Sequence, residues 1–303
     1  MNKFKRVLLK ILSIPHFNLK KHYKLYRRFL NIFKQAPEPI YKTLDHKIIM
    51  ENREIPLRVF IPKSNPLQKV LIFFHGGGWV TGNIDYYTNV CTNLANMTNH
   101  IVVSVDYRLA PENPFPAGLE DCYYVAREIF KNPEILNCKK EDIVLIGDSA
   151  GGNLAAVVSL MARDKGEFLP TKQILIYPAT NYDHSINSPY ASVIENGENY
   201  IMTSRRIQDY MYLYVENEED RLNPYVAPIL SKDLSNQPKT LIITAEFDPL
   251  RDEGEAYGMK LRDFGNDVKI HRMKNMIHGF FSNPLSLDSI DEFYEIINIF
   301  LKD

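Results

Sequence analysis

The stretch Ile143-Val144-Leu145-Ile146-Gly147-Asp148-Ser149-Ala150-Gly151-Gly152 decides how this chain is read. Four apolar, mostly β-branched residues predict a buried strand. The strand stops at Gly-Asp-Ser-Ala-Gly, and Asn153 to Arg163 then has the length and composition of a helix. A serine held on a tight turn between a strand and a helix is the arrangement termed a nucleophile elbow. The flanking glycines have a steric reason, because side chains there would collide with the neighbouring strand and helix. The same turn sets Ser149 at a helix N-terminus, where free N–H groups and the helix dipole favour negative charge. That suits a serine whose attack creates an oxyanion. A chance Gly-x-Ser-x-Gly in a loop would lack this strand and helix.

Outward from the elbow, strands and helices alternate. Ile55–Ile61, Val70–Phe74, Ile101–Val105, Ile174–Tyr177, Leu241–Thr244 and Val268–His271 read as further strands. Tyr86–Met97, Ala117–Phe130, Glu253–Phe264 and Ile290–Leu301 read as helices between them. Short apolar strands alternating with helices predict an α/β fold with a mostly parallel central sheet covered on both faces. Residues 1–40 read as amphipathic helices, with Leu8, Ile11 and Leu12, then Tyr23, Tyr26, Leu30 and Phe33, at helical spacing. Residues 181–228 break the rhythm: they are rich in Tyr, Asn and charge, with weak helical patterning. An insertion at the ends of sheet strands is a natural lid. The expected organisation is therefore N-terminal cap helices over 1–45 and a catalytic domain over 46–303 that carries the 181–228 insertion.

At 303 residues, 45% hydrophobic and 24% charged, the chain has the composition of a globular protein with a sizeable core. The net charge of −1 argues against a dedicated nucleic-acid binder. That average hides an asymmetry. Residues 1–37 hold ten Lys/Arg and no Asp or Glu, leaving 26 basic and 37 acidic residues elsewhere, a balance of −11. The basic segment could make weak contact with an anionic membrane surface. Packing of its apolar stripe on the acidic body as a cap is the favoured alternative. Cys91, Cys122 and Cys138 show no metal-ligand spacing and read as buried free thiols, which suits a reducing compartment. With no convincing signal peptide and no run long enough to span a membrane, the expected location is cytoplasmic.

A serine nucleophile needs a base, and the base needs an orienting carboxylate. On sheet hydrolases of this kind the chain order is Ser, then Asp or Glu, then His. Asp248 and His278 fall just beyond the carboxyl ends of predicted strands, where sites of open α/β sheets gather. His271 lies inside its strand, Glu246 sits nearer the strand than Asp248, and Asp252 reads as a helix N-cap. The expected triad is thus Ser149, Asp248 and His278. A base that must be neutral also predicts a rate falling at acid pH. His75-Gly76-Gly77-Gly78-Trp79 directly follows a strand and offers backbone N–H donors for an oxyanion. It lacks the features of a phosphate loop or a dinucleotide site. Gly76, Gly77, Gly78 and Ala150 are the candidate donors, with Gly77, Gly78 and Ala150 preferred. His75 reads as a structural hydrogen-bonding residue, and Trp79 and Phe280 as pocket residues.

Together these segments resemble the hormone-sensitive-lipase-like branch of the α/β-hydrolase fold. The resemblance rests on His75–Trp79, on Gly147–Gly152, and on Asp106-Tyr107-Arg108-Leu109-Ala110-Pro111-Glu112 with Pro114–Ala117. It rests further on Asp248–Gly254 and on His278-Gly279-Phe280. It implies a cofactor-free serine esterase acting on small, fairly hydrophobic carboxylic esters of short to medium acyl chain. Members of this family often pair as homodimers through late sheet elements, although no residue here specifies that pairing. Two alternatives remain at this stage. One is a deacetylase of amides or sugar acetyl groups. The other is a non-catalytic binder like the plant gibberellin receptors, which have lost the histidine that this chain retains.

Overall fold

A computed structural model describes residues 19–32, 42–50, 53–64, 68–282 and 290–303. Fourteen residues, Leu19–Ile32, form the first described helix, α1. An antiparallel pair follows, β1 (Lys42–Met50) and β2 (Arg53–Ile61), and then β3 (Val70–Phe74). Next come α2 (Thr88–Thr98), β4 (Ile101–Val105), α3 (Ala117–Lys131), β5 (Ile143–Asp148) and α4 (Ala150–Lys165). β6 (Lys172–Ile176) leads into an insertion holding α5 (Ala191–Glu195) and α6 (Ser204–Tyr214). β7 (Lys239–Phe247), α7 (Arg251–Asp263), β8 (Val268–Ile277) and α8 (Ile290–Lys302) complete the order.

The eight strands form one sheet in the order β1-β2-β4-β3-β5-β6-β7-β8, antiparallel only where β2 meets β1 and β4. Alternation along the central strands divides the core in two. Val70, Ile72 and Phe74 of β3 face one apolar cluster with α3, α4 and α7, whereas Leu71 and Phe73 face the other with α2 and α8. Burial on both faces explains why these strands read as unbroken apolar runs. The fold is an α/β sheet with helices on both sides, as expected.

Several boundaries differ from the sequence reading. β1 lies outside the expected strands: Asp45, His46 and Lys47 face solvent on this edge strand and obscure the strand pattern. β6 ends before Tyr177, whose φ of 34° starts the turn out of the sheet. β8 runs six residues past His271, because Arg272, Lys274 and Asn275 are turned outward while Met273, Met276 and Ile277 are buried. In the insertion, α6 is a regular helix whose buried face is Ile207, Tyr210, Met211 and Tyr214. α1 packs against α6, with Lys20 3.6 Å from Asp209 and above the Tyr212 ring. Arg27 fastens α1 to the body through the carbonyls of Val80 and Ala110, each at 2.5 Å, and through Glu112. Leu8, Ile11, Leu12 and Phe33 lie outside the described residues, and residue 45, where the cap helices were expected to end, lies inside β1. Cys91 and Cys122 are buried free thiols, but Cys138 is only partly buried. No described helix is long and apolar enough to cross a membrane.

Candidate active site

Ser149 stands between β5 and α4 with φ 55° and ψ −119°, a backbone conformation that a non-glycine residue adopts only where its surroundings enforce it. The enforcement is visible. The Ser149 N–H donates to the Ile176 carbonyl at 2.8 Å, and the Asn153 N–H closes the first helical turn on the Ser149 carbonyl. Packing across the elbow leaves no room for side chains. A Cβ on Gly151 would lie 1.9 Å from the Phe74 carbonyl oxygen, so glycine is required there.

Beyond the end of β7, the Asp248 carboxylate is fully buried and its Oδ1 accepts the Leu250 N–H at 2.9 Å. Its Oδ2 lies 2.7 Å from His278 Nδ1, and His278 Nε2 lies 2.9 Å from Ser149 Oγ. With Nδ1–H donating to the carboxylate, Nε2 is free to accept the serine proton. His278 follows β8 directly, and the Tyr177 ring packs against it at 4.7 Å. The three residues thus form one continuous hydrogen-bonded line from a buried carboxylate to the elbow. The competing residues are engaged elsewhere. His271 faces Glu292, and Glu246 accepts the Asn275 N–H. Asp252 pairs with Arg251 and accepts the Ser192 N–H; it sits inside the first turn of α7, so it is not the N-cap.

The glycine loop after β3 divides its donors. The Gly76 N–H donates to Asp148 Oδ1 at 2.8 Å and is not available to a substrate. Among the described residues, no acceptor takes the N–H of Gly77 or Gly78. Ala150, first residue of α4, has one of the N–H groups that a helix start leaves open. His75 is fully buried beneath the loop, bonded through Nδ1 to the Gly76 carbonyl and stacked on Tyr107 at 4.3 Å. Burial holds its pKa below the ordinary histidine value. Its position is that of a loop support.

A cavity of about 20 Å³ adjoins Ser149 and His278, walled by Gly78, Trp79, Met202, Ile207, Tyr210 and Leu250. That is room for about one water molecule. Trp79 lines it, stacked on Tyr214 at 4.5 Å. Phe280 does not line it: the ring is buried below, edge-on to Tyr177 and Phe293, because the turn after His278 directs it into the core. The insertion supplies walls that the sequence reading did not identify. Ile207 and Tyr210 recur at the helical spacing of α6, a signal present in the sequence but masked by its many tyrosines and charges. The insertion is also tied to the Asp248 loop. Ser192 Oγ donates to the Pro249 carbonyl, Asn196 to the Asp248 carbonyl, and the buried His184 lies 2.8 Å from Glu253. No group of His, Cys, Asp or Glu among the described residues could hold a metal ion.

Sheet order, elbow and hydrogen-bonded line together define a hydrolase of the α/β type, and residues 71–282 match the family model described as alpha/beta hydrolase fold. The chain belongs to that family. It is 36% identical over 248 residues to an arylesterase of Saccharolobus solfataricus, covering 82% of this chain and 79% of the relative. It is 34% identical over 282 residues to the esterase LipI of Mycobacterium tuberculosis, covering 90% and 87%. Among solved structures, the Pyrobaculum calidifontis esterase superposes with a TM-score of 0.88 at 38% identity, covering 100% of this chain and 98% of that one.

Proposed function

We propose that this carboxylic ester hydrolase works through an acyl-enzyme on Ser149, in the manner of the hormone-sensitive-lipase-like branch. The line from Asp248 through His278 to Ser149 Oγ carries the reading. Ser149 Oγ attacks the ester carbonyl carbon while its proton passes to His278 Nε2. Asp248 holds the imidazole in orientation and stabilises the imidazolium that forms. The carbonyl oxygen becomes an oxyanion received by the N–H groups of Gly77, Gly78 and Ala150. As the tetrahedral centre collapses, the C–O bond to the alcohol breaks and His278 returns the proton to the leaving oxygen. Water then attacks the acyl-serine, again giving its proton to His278, and the acid departs as Ser149 regains its own.

The apolar walls around Ser149 favour small, hydrophobic esters of short to medium acyl chain. The retained His278 supports catalysis over ligand binding alone. We assign α1 and the 181–228 insertion to one cap, because α1 packs on α6 and α6 walls the cavity. Lys20 and Arg27 are paired with Asp209 and Glu112, which favours packing of α1 on the body over contact with anionic lipid. Free, buried Cys91 and Cys122 suit action in the cytoplasm. A chromogenic short-chain ester tests the function. Turnover by the wild type that is lost in Ser149→Ala supports it, and absence of turnover on any ester would favour a binder.

A further inference from the structure

Asp248, the proposed acid, sits where the sheet supports it least. Strand pairing on the β6 side ends at Ile243, and on the β8 side the register breaks between Ala245 and Phe247. Asp248, Pro249 and Leu250 then bridge β7 to α7. The Arg251 N–H donates to the Asp248 carbonyl at 3.2 Å, and the Leu250 N–H to its Oδ1 at 2.9 Å. Both bonds are internal to residues 248–251, so they shape the bridge without tying it to another segment.

The tie comes from the insertion. Ser192 in α5 is fully buried: its Oγ donates to the Pro249 carbonyl at 2.7 Å and accepts the Asp252 N–H at 3.1 Å, while its own N–H donates to Asp252 Oδ2 at 2.8 Å. Asn196, just past the helix and also buried, donates through Nδ2 to the carbonyls of Asp248 and Glu246 at 3.3 and 3.5 Å. Backbone groups on both sides of Asp248 are thus held by two side chains of the cap. Removing either side chain would leave buried polar groups unsatisfied. At its other end α5 is joined to α6, since the N–H and Oγ of Ser204 donate to the carbonyls of Gly197 and Val193 at 3.0 and 2.5 Å. Glycine is required at 197, where a Cβ would lie 2.2 Å from the Val193 carbonyl oxygen.

We propose that Ser192 and Asn196 are positioning residues of the reaction: from the cap insertion they hold the backbone around Asp248, and so place the carboxylate that orients His278. This rests on the reading of Ser149, Asp248 and His278 as one catalytic line. Neither residue lines the cavity beside Ser149, so neither selects among substrates. Their effect falls on the chemical step, because a displacement of about 1 Å in a catalytic group costs about 10² in rate. The insertion therefore does two separable things: Met202, Ile207 and Tyr210 wall the cavity, whereas Ser192 and Asn196 set the acid.

The test makes Ser192→Ala, Asn196→Ala and the pair together, each in the wild type and again over Asp248→Ala. The readouts are kcat and KM on chromogenic esters of increasing acyl length. Each single variant should lower kcat by about tenfold and the pair by about 10²-fold, with KM within about twofold. The factor should be the same for every acyl chain. Over Asp248→Ala, where no carboxylate is left to place, the pair should cost less than about twofold more. A folded double variant with the kcat of the wild type would overturn the proposal. So would a loss that grows with acyl length, a loss confined to KM, or the full 10²-fold loss recurring over Asp248→Ala. Should the double variant not fold, Ser192→Ala decides, since it removes one hydroxyl and little volume. An even fall of about tenfold that vanishes over Asp248→Ala supports the proposal, and an unchanged kcat overturns it. A wild type inactive on every ester would overturn the Ser149 reading and this proposal with it. Activity abolished by Ser149→Ala, with the double variant unaffected, would overturn this proposal alone.

Discussion

Tyr210 packs directly onto Gly78: a Cβ on that glycine would lie 2.3 Å from the tyrosine ring. The insertion and the donor loop therefore meet in van der Waals contact above Ser149. The Tyr210 hydroxyl is further bonded to Thr81 and to Tyr26 of α1, which holds the ring in place on three sides. A fixed wall of this kind limits what can lie beside Ser149. Tyr210→Ala is expected to raise kcat/KM for longer esters relative to acetate by about tenfold per accommodated methylene. A panel of esters with acyl chain and alcohol varied separately measures it. An unchanged profile in the folded variant would remove Tyr210 from the wall.

Asp248→Asn should leave the fold intact while lowering kcat by about 10⁴-fold, because the amide no longer selects the productive histidine tautomer. KM should change little. Steady-state kinetics on a chromogenic acetate ester measures both constants, and a fall in kcat below about tenfold would point to another acid.

Burial lifts the Asp148 carboxyl from the usual 3.8 to about 6, against the downward pull of hydrogen bonds from Tyr87 and Gly76. The sign follows from linkage. A folded-state value above the unfolded one favours the fold fully below about pH 4, and that advantage is lost as pH rises through about 6. The loss amounts to ~3 kcal/mol at neutral pH. The amide of Asp148→Asn has no such titration. Thermal unfolding from pH 4 to 7 should therefore show Asp148→Asn gaining several degrees in Tm relative to the wild type. Parallel curves would contradict the buried, ionising carboxylate.

Arg27 joins α1 to the carbonyls of Val80 and Ala110 with charge-assisted hydrogen bonds. Arg27→Ala should cost about 2 kcal/mol of α1 docking. Hydrogen exchange is the direct probe. Residues 19–32 should exchange faster while β5 and α4 keep their protection, and unchanged exchange in α1 would show that the clamp is idle.

The parts of this molecule that short stretches of sequence determine were legible. The elbow follows from an apolar strand, a glycine-flanked serine and a helix close together in the chain, all enforced by local sterics. Asp248 and His278 stand out as candidates by their places after strands, and the structure sets both in line with Ser149. What stayed hidden depends on contacts between distant segments. β1 has an edge strand's charged face, so its pattern emerges only once paired with β2. Phe280 adjoins the His278 turn in sequence, but its ring packs on the far residues Tyr177 and Phe293 in the core and does not line the cavity. Gly77 and Gly78 stood ahead of Gly76 as donors, but the physical reason lies in Asp148, 72 residues away, which takes the Gly76 N–H. α6 has its apolar stripe in tyrosines, whose burial no local rule decides.

Ester hydrolysis through an acyl-enzyme requires a covalent intermediate on Ser149. Mass spectrometry after treatment with an aryl phosphonate, followed by digestion, tests it directly. A single phosphonyl group on Ser149, absent from Ser149→Ala and formed at least about 10³-fold more slowly in His278→Ala, is the expected result. Label on another residue, or ester hydrolysis surviving in Ser149→Ala, would show that Ser149 is not the nucleophile.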